Sequence, residues 1–392
     1  MKFRLPLLSL ATVALTPWLV SAQNPLLGPP GTLPSGPATI PSEPMGVVKK
    51  DEPDFPKPED ALKGYEKVVS TADGRKSFYN VWSRGKDQQL LAELPAAYAT
   101  QRHYLALTVA DWMRRRGMNA RAVPSCEVLL DPYESRPSTA RRLAIGFSRS
   151  GNSTELVLAI RKLAAAGFLT FGISCTAVSD LLTEADHGLL VSEGQEDGLV
   201  MLRSFTSMLI AAQWLFGNAA DRAALARLPA VGRRMLAHEG VVRHVANSAA
   251  FDRFVFLGSG PSHPLALESA LKIQEMAIAT SEAYHSLDYR HGPKACANDK
   301  TVVVLFALSD RDHGIALTRD IRALGATVVV IGSDAAAYSK VADLTLAQDA
   351  DLDDATAATA LMLPVQIFAF ATALRREQNP DAPVNLSKVV LF

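Results

Sequence analysis

The chain has 392 residues, with 40 basic against 40 acidic side chains, 48% hydrophobic and 20% charged residues. That is room for two or three folding units of roughly 100–200 residues each, with the composition of a globular chain rather than a disordered one. A net charge of zero removes the basic footprint of a general nucleic-acid binder, so no nucleic-acid partner is expected. Cys126, Cys175 and Cys296 stand far apart without a CxxC pair, which excludes a zinc ribbon and a disulfide framework.

At the amino end, Lys2 and Arg4 precede an almost wholly apolar stretch over residues 5–20, and Val20-Ser21-Ala22 offers small residues before Gln23. Residues 1–22 therefore read as a secretory signal-like segment. Residues 23–60 carry many prolines with Gly and Ser, the composition of an extended linker that buries no core. Over 61–109, Lys76–Trp82, Leu90–Pro95 and Tyr104–Val109 suggest short strands with turns. With the signal, the wording GYEKVVSTADG, FYNVW, LLAELP and ALTVA resembles the leader region of secreted zinc-dependent metalloproteases. Such a protease needs a metal site, and His238-Glu239-Gly240-Val241-Val242-Arg243-His244 spaces its histidines six apart, whereas one helix face needs i, i+4. No metal is expected there. No later uninterrupted apolar run approaches the roughly 18 residues of a spanning helix, so no membrane span is expected.

From about Ala110 the pattern alternates between short β-branched runs and helix-period segments, the mark of parallel sheets covered by helices. The expected strands are 143–147, 169–173, 188–191, 254–257, 301–308, 327–331 and 344–346. The block occurs twice: Ile145-Gly146-Phe147 runs into a Ser148–Ser153 loop, and Val255-Phe256-Leu257 into Gly258-Ser259-Gly260. A polar helical region over about 218–248 joins the halves. The fold class is α/β, two tandem doubly wound parallel-sheet units.

The first loop, Ser148-Arg149-Ser150-Gly151-Asn152-Ser153-Thr154, sits between an apolar strand and a helical run. Hydroxyls, free N–H groups and the positive end of the helix dipole suit a phosphate monoester there; a plain N-cap would use Ser or Asn only once. On the helix after the second loop, Lys272 and Glu275 are i, i+3 and share a face; alone, they read as a surface ion pair. His291, fixed by Gly292-Pro293, suits acid–base work near neutrality, the plain alternative being a loop histidine bonded to backbone. Lys388 stands alone in an apolar tail.

Together, SRSGNST, GSGP, ALKIQE, EAYHSLDYRHGPK and NLSKVV resemble a double sugar isomerase (SIS) domain protein, over about 280 residues. They are similar to the isomerase half of glucosamine-6-phosphate synthase and to tagatose-6-phosphate ketose/aldose isomerase-like proteins. The resemblance implies a first SIS domain over 110–225 and a second over 240–392. It implies catalytic roles for Glu275, His291, Lys388 and Lys272, and substrate binding by Ser148, Arg149, Ser150 and Ser153. Glu275 would move a proton between C1 and C2, His291 open the ring and Lys388 supply a cation near the enediolate oxygen. No cofactor is required. The substrate would be a phosphorylated sugar or aminosugar, and a homodimer is implied because the family's site lies between subunits. Lys2 stands where the synthase's glutamine-hydrolysing cysteine would be, so glutamine-derived ammonia is not expected.

The family's first Gly-x-Gly-[ST]-Ser loop is absent: upstream of Ala110–Gly117 stand Ala97-Tyr98-Ala99-Thr100-Gln101-Arg102-His103. Tyr98 and Gln101 bring bulk where glycine would admit the phosphate. Met201 replaces a residue often small and polar in the synthase. A junction near 108–111 follows, with a first SIS domain lacking its first strand. The expected activity is a phosphosugar isomerase or aminosugar-phosphate deaminase; the alternative is a catalytically impaired sugar-phosphate sensor. The leader points to export and the substrate class to the cytoplasm, so location stays open.

Overall fold

The computed structural model describes residues 104–392 apart from 132–133, 137–139, 249–250, 349–351, 385 and 387–392, and before them only the strands between residues 66 and 93. The signal-like segment, the linker and Lys388 lie outside the described residues. The chain divides into two compact units, with residues 12–96 in one and 97–392 in the other. In the smaller unit, β1 (Glu66–Val68), β2 (Asn80–Arg84) and β3 (Gln89–Glu93) form an antiparallel meander in that order.

The larger unit opens with α1 (Tyr104–Arg114), which corrects the strand expected over 104–109. Tyr104, Leu105, Thr108, Val109, Trp112 and Met113 are buried, a spacing of one to four residues that marks one helix face rather than the period of two of a strand. That face packs on α5 (Arg203–Phe216) and α9 (His263–Ala277), and this contact outweighs the β-branched and aromatic content of the segment.

The first sheet holds β4 (Leu143–Ser148), β5 (Leu169–Ser174) and β6 (His187–Leu190), parallel and in that order. It is served by α2 (Ser125–Leu130), α3 (Thr154–Ala165) and α4 (Asp180–Glu184). Three helices, α6 (Ala219–Leu225), α7 (Leu228–Leu236) and α8 (Glu239–Ser248), make the polar helical joint, with His238 and His244 on or beside α8.

The second sheet is parallel throughout and has five strands, β7 (Arg253–Gly258), β8 (Ser281–His285), β9 (Thr301–Phe306), β10 (Thr327–Gly332) and β11 (Leu344–Ala347), in the order 11-10-9-7-8. The order reverses between β7 and β9, the switch point of a doubly wound fold. The continuous β-branched runs of β9 and β10 are buried almost throughout, as a sheet covered on both faces requires. Polar β8, at the edge and half-buried, is a strand the residue pattern did not announce.

Among the described residues the first sheet has two strands fewer than its sister, where the family pattern led us to expect the loss of one. In the sister sheet β8 pairs only with β7. Removing the equivalent of β7 therefore removes the partner of the next strand too, and residues 118–124 run outside any ladder. The main apolar core joins the two sheets through α1, α5, α9 and α11 (Ala358–Arg375), and a second core lies under α10 (Arg311–Ala323). α11 is long and apolar enough to cross a membrane, with a mean hydropathy of 1.4, yet two-thirds of it is buried in this core.

Candidate active site

β4 ends at Ser148 and α3 begins at Thr154, so the hydroxyl-rich segment is the whole strand-to-helix turn. Gly151 makes that turn with φ +68, and a Cβ there would meet Ser179 Oγ at 2.3 Å, so only glycine fits. The Gly151 N–H donates to Ser148 Oγ (3.0 Å), and the Asn152 N–H to Ser150 Oγ (3.2 Å). Ser148 Oγ and Ser153 Oγ are 3.3 Å apart. The Asp180 and Leu181 N–H groups donate to Asn152 Oδ1 and to the Gly151 carbonyl, tying α4 to the turn.

Ser153 is the N-cap residue of α3 but makes no side-chain cap bond, so the hydroxyl is not consumed as a plain cap would consume it. The first amides of a helix also have no partner within it. Hydroxyls and helix end thus converge on one place suited to a phosphate. After β7 the corresponding turn satisfies itself: the Ser259 N–H donates to Ser262 Oγ, and that hydroxyl donates to the Ser259 carbonyl.

Arg149 is buried, and its guanidinium turns beneath the loop, donating to the Gly198 carbonyl at 3.0 Å and standing 3.8 Å from Glu196. Burial lowers its pKa while Glu196 and then Glu275 oppose that shift. Its charge therefore faces the Glu196 and Glu275 carboxylates. Glu196 accepts from the N–H groups of Leu202, Arg203 and Ser204 and from the Ser204 hydroxyl, closing the amino end of α5. Behind the loop, burial pushes the Cys175 thiol up to about 11, which holds it as an un-ionised thiol at neutrality and makes it a poor nucleophile.

On α9, Lys272 is 1% exposed, which replaces the surface ion pair with a buried one. Its Nζ donates to Glu275 Oε2 at 2.6 Å and to the Met201 carbonyl at 3.1 Å, and lies 3.2 Å from Glu268 Oε1. Three acceptors match the three protons of an ammonium. Burial acts to lower the Lys272 pKa, but Glu268 and Glu275 outweigh it and the pKa rises. Burial pushes the Glu268 carboxyl up to about 7, with Lys272 opposing. Glu275 retains partial exposure, at 20% of its side chain.

The fold thus brings Lys272 and Glu275 together and sets Glu275 within electrostatic reach of Arg149. Exposed His291 ends a one-turn helix after β8, Asp288–His291, and among the described residues shares no hydrogen bond or ion pair with Lys272 or Glu275. Lys388 is outside the described residues. The residue pattern missed Glu196 and Glu268. Glu268, Lys272 and Glu275 are spaced i, i+4, i+7, one helical stripe, and that signal could have found Glu268; Glu196 meets Arg149 only through the fold.

A doubly wound parallel sheet with a hydroxyl-rich turn at the carboxyl end of a strand is an architecture suited to binding ligands at that end. The chain belongs to the SIS domain family, which matches residues 131–217 and 250–375, more than half of its length. A Streptomyces coelicolor protein, proposed by its name to be a D-galactosamine-6-phosphate deaminase, is 32% identical over 295 residues, covering 69% of this chain and 75% of that one. The glutamine–fructose-6-phosphate aminotransferase of Methanothermobacter thermautotrophicus is 29% identical over 66% of this chain, which spans only 45% of that enzyme. Among solved structures, the glucosamine-6-phosphate deaminase of Thermotoga maritima matches with TM-score 0.61 and 31% identity, over 74% of this chain and 87% of that one. The tagatose-6-phosphate ketose/aldose isomerase of Escherichia coli shares the fold, with TM-score 0.63 and 24% identity over 71% of this chain and 81% of that one.

Proposed function

We propose that the chain is an aminosugar-6-phosphate deaminase/isomerase. The observation that carries the reading is the pairing of a hydroxyl-lined helix end, fit for a phosphate monoester, with the partly exposed Glu275 carboxylate held by buried Lys272. The two deaminase relatives, each above 30% identity and spanning at least three-quarters of their own length, support an amine-bearing substrate.

In this reading the phosphate docks on Ser148, Ser150, Ser153 and the amino end of α3. His291, reaching across from a second copy of the chain, opens the ring. Glu275 takes the proton from C2 of the open-chain aldehyde and returns it to C1, leaving an imine at C2. Water adds at C2 and ammonia departs, so one aminosugar phosphate and one water give one ketose phosphate and one ammonia. Lys388 offers a cation to the developing oxyanion at C1. With a substrate that carries a hydroxyl at C2, the same proton transfer interconverts aldose and ketose and releases no ammonia.

A sugar-phosphate sensor is the second reading, favoured by the shortened first sheet and the missing first phosphate loop. Incubation with glucosamine 6-phosphate, galactosamine 6-phosphate and fructose 6-phosphate, with ammonia and ketose both measured, separates the readings. The deaminase releases ammonia and ketose in equal amounts, and Glu275→Gln loses about 10²–10⁴-fold in kcat. Stabilisation by these ligands without turnover identifies the sensor.

A further inference from the structure

We propose that Glu268 is a positioning residue for the proton transfer, tuning the basicity of Glu275 through the ammonium of Lys272 that they share. The proposal rests on the function proposed above. One ammonium sits between two carboxylates on successive turns of α9, 2.6 Å from Glu275 and 3.2 Å from Glu268. Glu268 is 4% exposed and so cannot touch a substrate; any effect it has on the reaction passes through Lys272.

The surrounding charges leave this pathway isolated. α1 pairs its Asp111 with its own Arg114 and Arg115. On the β7–β8 pair, Arg253 closes on Glu282. α11 carries no ionisable residue before Arg375, which bonds the Phe251 carbonyl. Besides burial, Lys272 and Glu275 act on Glu268, while Arg149, with Glu196 beside it, acts on Glu275. Burial pushes Glu268 up to about 7, so it changes charge near neutrality. With Glu268 protonated, Lys272 is neutralised by Glu275 alone and Glu275 is a weak base. With Glu268 ionised, the ammonium is shared, the two carboxylates repel, and Glu275 becomes the stronger base.

The test uses the full chain and two readouts. In protein labelled with carboxyl-¹³C glutamate, the Glu275 signal, assigned by its loss in Glu275→Gln, shows a step near pH 7 that is absent from Glu268→Gln. On glucosamine 6-phosphate, kcat rises through neutrality for the wild type; in Glu268→Gln that limb is lost and kcat falls about tenfold with KM within about twofold. Titration of the substrate phosphate is common to both proteins and drops out of the comparison. A wild-type Glu275 signal without the step, or a step that persists in Glu268→Gln, overturns the proposal. If the wild type turns over no aminosugar phosphate, the functional reading fails while the carboxyl titration still decides the coupling. Should Glu268→Gln not fold, Glu268→Asp decides: a Glu275 step moved along the pH axis supports the coupling, and an unmoved one overturns it.

Discussion

Each hydroxyl of the first loop has a separable part. Ser150 and Ser153 are half-buried, whereas buried Ser148 also accepts the Gly151 N–H and so shapes the turn. A hydrogen bond to a charged phosphate contributes about 1.5–3 kcal/mol, so Ser150→Ala is expected to raise KM about tenfold or more with kcat little changed, measured by initial rates. Ser148→Ala is expected to add a stability loss, read by thermal unfolding. Lys272 is the opposite kind of residue: a buried cation with two carboxylate partners. Lys272→Met leaves those carboxylates uncompensated and is expected to cost about 3–5 kcal/mol in denaturant unfolding. For Glu268, folding raises the carboxyl pKa from 4.5 to about 7. Its contribution is therefore fully present below about pH 4.5, where both states are protonated, and is lost as pH rises to about 7, where the unfolded chain alone has released its proton. The difference in Tm between Glu268→Gln and wild type is expected to move in favour of the variant across that window, and a pH-independent difference would contradict the assignment.

Among the elements, α5 depends on a remote cap. Glu196 accepts the N–H groups of Leu202, Arg203 and Ser204 at the start of that helix and also stands beside Arg149, so it links Arg149 of the hydroxyl-rich loop to the segment whose Met201 carbonyl receives Lys272. Glu196→Ala is expected to lose about 1–2 kcal/mol of stability and to weaken phosphosugar binding together with it, measured by unfolding and by ligand-induced Tm shifts. The strands of the second sheet could be read in advance because both faces are buried, which writes β9 as Thr301-Val302-Val303-Val304-Leu305-Phe306. The first loop could be read because four hydroxyls and a glycine occupy seven positions. β8 could not, since an edge strand carrying Glu282 and His285 is polar enough to pass for a loop. α1 misled because Leu105-Ala106-Leu107-Thr108-Val109 satisfies both periods over so short a run, and its packing on α5 and α9 decides. Lys272 looked like a surface ion pair because i, i+3 spacing says nothing of burial.

For the molecule as a whole, the two sheets are unequal sisters. The sheet beside α9 has five strands, while the one that leads into the hydroxyl-rich loop has three, and β4 is only half-buried where β9 is buried throughout. The half built on β4–β6 is expected to be the less stable, so native-state hydrogen exchange should open β4–β6 before β7–β11. Exposed His291 lacks a bond to Glu275 in its own chain, and the proposed assembly of two copies accounts for this. Sedimentation is expected to show a dimer, and mixing Glu275→Gln with His291→Asn chains should restore up to about a quarter of wild-type activity in exchanged dimers. The most direct measurement of the central claim is reaction in deuterium oxide followed by proton NMR at C1 and C2 of the sugar phosphate. The account predicts that the wild type moves hydrogen from C2 to C1, with solvent deuterium entering C1 to the extent that the Glu275 carboxyl exchanges its proton before returning it, and that Glu275→Gln does neither. Turnover by Glu275→Gln at the wild-type rate, with the same deuterium pattern, would contradict it.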